Sequence, residues 1–226
     1  MAQGAEIKGR LKEILSISEK MNLPVRKVDR NKLDSIATNH QGVALHASAY
    51  PYDDLQGLLS HSKSLMDSFH EPALFLLLDT IQDPQNLGTL LRTAEAIGIH
   101  GVVIPAHRAA AVTPAVVHAS SGASEHLHIA QANLVQAINV FKELDIWVMG
   151  LEEANNAQPI ETVDLGGALA LVVGSEGYGL RELVRRSCDL LLRLPMRGRI
   201  ESLNAAVAGS IALYQAFQAR RARFAQ

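Results

Sequence analysis

The chain has 226 residues, of which 48% are hydrophobic, 19% charged and 4% aromatic, and its formal net charge is −2. This length holds one large domain or one ordinary domain with a small one, and the near-neutral charge gives no global sign of nucleic-acid binding. The sequence shows neither an apolar run of membrane-spanning length nor a signal-peptide core, and its single cysteine excludes an intramolecular disulfide. We therefore expect a cytoplasmic protein with no membrane partner.

Residues 1–62 are predicted to form a small N-terminal α/β domain, and residues 63–72 a linker. The predicted elements of the domain are a helix between Glu6 and Met21, a strand over 25–28, a helix capped by Asn31 that runs through Ile36, a strand over 43–47 and a helix capped by Asp53 or Asp54. The linker is expected at the polar stretch SHSKS. Because the domain begins on a helix and is near the lower size limit for a core, we expect it to be truncated.

Beyond the linker, continuous apolar runs alternate with helical patterns. The strand-like runs are FLLLD, GVVIP, DIWVMG, ALALVVG and DLLLRLP, and the helix-like runs cover Leu87–Ile97, Leu134–Leu144, Leu180–Ser187 and Leu203–Arg221. Strands that are apolar throughout and separated by helices are typical of a mostly parallel sheet with helices on both faces. Residues 73–226 are therefore predicted to form one α/β domain, whose ligand binds beyond the carboxyl ends of the strands.

Two polar segments lie where predicted strands meet helices. In Asp79–Gly98, Asn86 precedes a helix and Arg92 lies off its apolar stripe, although a helix cap and a solvated arginine are the more common explanation of this pair taken alone. In Val172–Leu180, the loop GSEGYG has glycines that permit positive φ angles and close backbone approach. Its spacing matches neither the dinucleotide fingerprint nor the P-loop, and its acidic residue favours a hydroxyl or cationic ligand over phosphate.

A third polar segment, Pro195–Gln215, opens a long helix. Ser202 and Asn204 stand at the start of that helix, where unpaired backbone N–H groups favour a polar ligand. Small residues follow, which indicates a tight helix contact within the chain or across a dimer. Basic residues flank this segment and fill the first part of the chain, and both groups are candidates to meet phosphates.

Outside these three segments, the sequence favours neither a catalytic cysteine nor a histidine metal site. Cys188 lies where a helix leads into an apolar strand, so it is interpreted as a small buried hydrophobe. His126 and His128 would share one face of a strand, but no third ligand follows at a recognisable spacing. No metal site is predicted.

The segments NLGTLLRTA, VVGSEGYGL and LPMRGRIESLNAAVAGSIALYQ resemble, in this order and at similar separations, the three motifs of the SpoU (TrmH-type) RNA 2′-O-ribose methyltransferases of the SPOUT superfamily. The resemblance covers roughly residues 74–217, including SSGASEHL at 120–127. The stretch HQGVALHASAYPYDDLQGLL is similar to the end of the small substrate-binding domain of the ribosomal-RNA members, whose first strand and helix have no counterpart here.

This resemblance implies a C-terminal trefoil knot, S-adenosyl-L-methionine bound in the knot, a homodimer and an RNA partner, with large-subunit (23S) ribosomal RNA favoured over transfer RNA. Carried over to this sequence, it implies the catalytic set Asn86, Arg92, Glu176, Ser202 and Asn204. It also implies that the methyl donor lies against Gly174, Leu194, Met196 and Leu203. Methyl transfer from a sulfonium to a ribose hydroxyl needs positioning and deprotonation rather than a metal. The base is either Arg92 or, if Arg92 holds the RNA phosphate, a water or Glu176.

Two other function classes remain for comparison. A non-catalytic RNA-binding protein of the same fold is disfavoured because the catalytic set is intact. A dinucleotide-dependent oxidoreductase is disfavoured because the glycine pattern is imperfect and no such turn follows the first strand of the domain.

Overall fold

The computed structural model describes residues 1–36, 40–69, 71–199 and 202–224. Its contacts divide the chain into two compact units, Met1–Ala49 and Tyr50–Gln226. The division therefore lies before the boundary predicted after residue 62. Among the described helices, none combines the length and the apolar character needed to cross a bilayer.

The first unit contains two helices, α1 (Arg10–Lys20) and α2 (Arg30–Asp34). The helix predicted between Glu6 and Met21 is confirmed. The second helix has Asp29 at its N-cap position, so the cap predicted at Asn31 is two residues late, and the helix ends at Asp34 rather than at Ile36.

The two strands predicted for this unit do not form. Among the described residues of this unit, strand-like pairing is limited to one isolated bridge between Ala2 and Val28. The alternating residues at 43–47 are irregular, and Leu45 is 82% exposed. A strand requires a neighbour to pair its backbone groups, and alternation alone does not supply one. The α/β prediction for this small domain is therefore wrong for its described residues.

The second unit holds one seven-stranded sheet in the order β3-β2-β1-β6-β4-β7-β5, with every neighbouring pair parallel. Its strands are β1 (Leu74–Leu78), β2 (Gly101–Ile104), β3 (Ile129–Gln131), β4 (Trp147–Leu151), β5 (Gln158–Pro159), β6 (Leu169–Val173) and β7 (Leu190–Arg193). Its helices are α3 (Leu55–Phe69), α4 (Pro84–Ala96), α5 (Pro114–Ala119), α6 (Leu134–Glu143), α7 (Glu182–Ser187) and α8 (Ala205–Phe224). The prediction of a mostly parallel α/β sheet is confirmed.

The segment predicted as the linker is helical up to Phe69. Helix α3 begins after Asp54, whose Oδ1 accepts a hydrogen bond from the Gly57 N–H at 2.7 Å. The polar stretch SHSKS does not end this helix, because serine hydroxyls can bond to backbone carbonyls one turn earlier. Ser62 Oγ donates to the Leu58 carbonyl at 2.7 Å in this way.

The sheet has an apolar core on both faces. Alternate residues of β1 enter different clusters: Leu76 packs in one core cluster and Leu77 in the other, and each is fully buried. The continuous apolar strands are thus explained by helices on both sides of the sheet. The trefoil knot stays a prediction from the resemblance.

Helix α8 packs closely on α4 through its small residues. A Cβ at Gly209 would lie 2.6 Å from Leu90 Cδ2, closer than real carbon contacts allow. Thr93 and Ser210 hydroxyls hydrogen-bond between the two helices at 2.9 Å. The tight helix contact predicted for the small residues is confirmed within the chain.

An ion pair with a buried carboxylate ties the end of β1 to the segment before α7. Asp79 is fully buried, and its carboxylate accepts hydrogen bonds from the Arg181 backbone N–H at 2.7 Å and from Arg181 Nε at 2.6 Å. We expect Asp79→Ala to lower the free energy of unfolding by about 2–3 kcal/mol, because both donors lose their partner.

Thermal unfolding measures this effect, which corresponds to a Tm lower by roughly 4–12 °C for a chain of this size. Asp164→Ala is the matched control, because Asp164 pairs with Arg223 at 2.8 Å on the surface, where such pairs contribute less than about 1 kcal/mol. Equal losses in the two variants would contradict the buried role of Asp79.

Candidate active site

A cavity of about 580 Å³ lies beyond the carboxyl ends of β4, β6 and β7 and beside the start of α8. Its size is in the range of small-molecule sites. The walls comprise Leu151–Glu153, Val173–Gly179, Arg193, Leu194, Met196, Ser202–Ala205 and Ala208. The cavity is therefore at the edge of the sheet where parallel α/β proteins bind their ligands.

Most of the predicted site residues line this cavity. The four expected to hold the methyl donor are all in its wall: Gly174, Leu194, Met196 and Leu203. Glu176, Ser202 and Asn204 of the predicted catalytic set join them. The structure brings these seven together, and their roles stay predictions.

One hydrogen-bonded cluster joins the three polar segments. Asn86 Nδ2 donates to Glu176 Oε1 at 2.7 Å, and Asn204 Nδ2 donates to Asn86 Oδ1 at 3.0 Å and also to Glu176 Oε1. Asn86 is buried, whereas Asn204 is exposed at the cavity. The carboxylate of Glu176 is thus held by two amide donors.

Each amide is fixed by the start of its own helix. Asn204 Oδ1 accepts hydrogen bonds from Ala206 N at 2.9 Å and Val207 N at 3.1 Å, so it caps α8 while its Nδ2 faces Glu176. Helix α4 is capped by Asp83, whose Oδ1 accepts a hydrogen bond from Gln85 N at 3.0 Å. The alternative that Asn86 serves as the cap is therefore wrong, and its side chain is left to bind Glu176.

The loop after β6 is a tight closed turn. Ser175 and Gly179 exchange backbone hydrogen bonds of 3.1 and 3.0 Å, and Gly177 and Gly179 have φ angles of 77° and 63°. A Cβ at Gly174 would lie 2.3 Å from the Gly179 carbonyl carbon. Glycine is thus required at 174 because the loop folds back on its own backbone, which places Glu176 at the cavity.

Arg92 is not part of this cluster. It lies on the exposed surface of α4 and is not in the cavity wall. Six helical positions separate it from Asn86, about 9 Å along the axis and about 120° around it, so the two side chains leave the helix on different sides. The structure therefore leaves Arg92 outside the site formed by its own chain.

Two charged residues of the cavity wall, Glu152 and Arg193, were not among the predicted site residues, although Arg193 belongs to the basic residues noted beside the third segment. Glu152 follows β4, and burial raises the pKa of its carboxyl above the ordinary value, an effect that Arg185 opposes. Arg193 ends β7, and its Nε donates to the Ala157 carbonyl at 3.1 Å. The rule that ligands bind at the carboxyl ends of parallel strands applies to both positions and is the signal that could have found them.

The two histidines considered as metal ligands do not share a strand face. His126 follows a short 3₁₀ helix and His128 precedes β3, where its Nδ1 lies 3.0 Å from Asp53 Oδ2. Among the residues that the structure describes, no three His, Cys, Asp or Glu side chains are grouped to hold a metal ion.

Cys188 is a half-buried thiol whose Sγ donates to the Val184 carbonyl at 3.3 Å. Burial raises the pKa of this thiol to about 12, which leaves a thiolate fraction on the order of 10⁻⁴ at pH 8. We expect the native protein to react with iodoacetamide at least about 100-fold more slowly than the protein unfolded in guanidinium chloride. Mass spectrometry gives both rates, and equal rates would contradict a buried structural cysteine.

Family models match two stretches of the chain. The model described as the SpoU rRNA Methylase family matches residues 73–214, and the model described as RNA 2′-O ribose methyltransferase substrate binding matches residues 1–53. The first stretch contains all nine predicted site residues.

Individual proteins show the same likeness. YacO of Bacillus subtilis, provisionally named a TrmH family tRNA/rRNA methyltransferase, is 39% identical over 216 residues, which are 95% of this chain and 85% of its own. An AdoMet-bound rRNA methyltransferase from Sinorhizobium meliloti aligns with a TM-score of 0.72 and 24% identity over 92% of this chain and 77% of its own. The SpoU methyltransferase AviRb from Streptomyces viridochromogenes, in complex with AdoMet, aligns with a TM-score of 0.73 and 23% identity. The alignment covers 98% of this chain and 81% of AviRb. These two structures share the fold of this chain.

Proposed function

The chain belongs to the SpoU rRNA methylase family, and on this premise we propose that it transfers the methyl group of S-adenosyl-L-methionine to the 2′-hydroxyl of a ribose in RNA. The observation that carries the proposal is the hydrogen-bonded cluster of Asn86, Glu176 and Asn204 beside the cavity at the strand ends. This cluster combines a fixed carboxylate with a space for a small cofactor. A ribose hydroxyl placed between them meets the requirements for deprotonation and methyl transfer.

The cavity fits the proposed cofactor. Leu194, Met196 and Leu203 offer apolar surface, and Gly174 lies in the same wall. Glu152 in the same wall suits a cationic ligand. When bound, S-adenosylmethionine supplies an electrophilic methyl group on a positively charged sulfur.

Glu176 is the proposed base. Its Oε1 accepts hydrogen bonds from Asn86 and Asn204, which leaves Oε2 to accept the proton of the ribose hydroxyl. S-adenosylmethionine held by Gly174, Leu194, Met196 and Leu203 would supply the methyl group to the ribose oxygen, and Glu176 would keep the proton. Ser202, also in the cavity wall, orients the ribose. Arg92 is proposed to bind the RNA phosphate, because the planar fork of N–H donors of a guanidinium matches the geometry of a phosphate.

The active form is proposed to be a homodimer. Helix α8 exposes three large side chains, Val207, Ile211 and Tyr214, which are 46%, 38% and 51% exposed. Pairing of two copies through this face buries that surface. Arg92 lies on helix α4, which contacts α8 through the hydrogen bond between the Thr93 and Ser210 hydroxyls. In the proposed dimer Arg92 reaches the cavity of the partner copy, which adds it to a site from which its own chain leaves it out.

The proposed RNA is 23S ribosomal RNA. The first unit, residues 1–49, carries eight Lys and Arg against five Asp and Glu, whereas the rest of the chain carries 13 against 18. This basic unit falls within the stretch that matches the substrate-binding family model. A positive surface on an otherwise acidic chain supports a role in binding the phosphate backbone.

Titration calorimetry with S-adenosylhomocysteine tests the cofactor part of the proposal. We expect saturable binding with one site per chain and no heat with NADH under the same conditions. Binding of NADH instead would support the oxidoreductase class. Absence of S-adenosylhomocysteine binding to folded protein would contradict the methyltransferase proposal.

A further inference from the structure

Tyr178 is the most exposed of the large apolar and aromatic side chains that the structure describes, with 93% of its surface accessible. It belongs to the closed turn after β6, in which Ser175 and Gly179 exchange backbone hydrogen bonds. A tyrosine normally buries part of its ring, because the ring is a large apolar surface. Its exposure on a closed turn indicates a surface that is presented to a ligand.

The Tyr178 ring lies close to the proposed reaction site. Tyr178 lines the mouth of the cavity and is the single aromatic residue among the described residues of its wall. Glu176, two residues earlier, is held by Asn86 and Asn204. Two residues of chain span at most about 7 Å, a distance comparable with that from a ribose to its own base.

We infer that Tyr178 stacks on the base of the nucleotide whose ribose is methylated. The inference rests on the proposed function, since Glu176 must face a ribose for Tyr178 to face the base. Single-stranded and flipped-out RNA bases are commonly held by stacking on aromatic side chains. Such stacking tolerates any base, so Tyr178 contributes affinity for the target nucleotide rather than its identity.

Steady-state methyl transfer to unmodified 23S ribosomal RNA transcribed in vitro tests this role. Because stacking on one aromatic ring contributes to the affinity for RNA, Tyr178→Ala is expected to raise KM for the RNA by about 5- to 150-fold. At saturating RNA, kcat is expected to change by less than about threefold. Tyr178→Phe and Tyr178→Trp keep a flat ring and are expected to restore KM to within about threefold of the unmodified protein.

Tyr178→Leu is the matched control, because leucine is apolar but has no flat ring. It is expected to behave like Tyr178→Ala. A leucine variant with normal KM would overturn stacking, and so would an alanine variant with normal KM. The affinity for S-adenosylhomocysteine should be unchanged in all four variants, because Tyr178 is not among the residues proposed to hold the cofactor.

Failure of the proposed function can be told apart from failure of the stacking role by the behaviour of the unsubstituted protein. If the unsubstituted protein neither binds nor methylates RNA, both proposals are overturned. If it methylates the RNA and the alanine variant has the same KM, the stacking role alone is overturned.

Discussion

Mixed dimers of Arg92→Ala and Glu176→Ala subunits are expected to regain methyl transfer that neither variant has alone. Arg92 is exposed on α4, outside the cavity of its own chain, whereas Glu176 lines that cavity. If Arg92 serves the partner's cavity, a mixed dimer combines the intact Glu176 of one subunit with the intact Arg92 of the other. Removal of either group should cost about 10²- to 10⁴-fold in turnover, because each acts on the reacting groups.

Co-expression with two affinity tags provides the mixed dimer. Each mixed dimer purified on both tags has one intact site of two, so its expected turnover is about half of that of the unsubstituted dimer. Each variant alone should retain its affinity for S-adenosylhomocysteine, since neither is proposed to hold the cofactor. An inactive mixture with confirmed exchange of subunits would show that Arg92 acts within its own chain or not at all.

Gly174→Ala is expected to abolish cofactor binding. The added Cβ would lie 2.3 Å from the Gly179 carbonyl carbon and 2.6 Å from the Leu180 nitrogen. These are backbone atoms, so a rotamer change cannot relieve the clash, and the turn that carries Glu176 must open. We expect the affinity for S-adenosylhomocysteine to fall at least about 100-fold, because displacement of the loop by about 1 Å is enough to disrupt a preorganised site.

Gly167→Ala is the matched control for this substitution. Its Cβ would meet only the end of the flexible Arg223 side chain, at 4.0 Å. Calorimetry should give normal affinity for the control, and circular dichroism should show that both variants are folded. Affinity within about threefold of normal in Gly174→Ala would contradict the role assigned to the closed turn.

The central strands were predictable because burial on both faces leaves a strong signal. The runs that form β1 and β6 are apolar at every position, and the structure buries all of them. The edge strands β3 and β5 have three and two residues, too few for any pattern to be recognised. At 43–47 a strand was predicted that does not form, because an alternating apolar and polar pattern does not show whether a partner strand exists.

The active-site cluster depended on the resemblance rather than on spacing. Asn86 and Glu176 are 90 positions apart, and sequence periodicity does not show that they hydrogen-bond. The rule that ligands bind beyond the carboxyl ends of parallel strands indicated the correct edge of the sheet. Glu152, which follows β4, lies at the same edge. Arg92 was predicted as part of the set from its motif, and the fold of a single chain leaves it outside because helical geometry separates it from Asn86.

The proposed methylation of the 2′-oxygen of ribose in RNA is tested most directly by mass spectrometry of nucleosides. The nucleosides come from 23S ribosomal RNA transcribed in vitro and incubated with the protein and isotopically labelled S-adenosylmethionine. We predict one labelled 2′-O-methylnucleoside, whose adjacent phosphodiester bond resists alkali, and no label with the Glu176→Ala variant. Label on a base, or no label on RNA from protein that binds the cofactor, would contradict the claim.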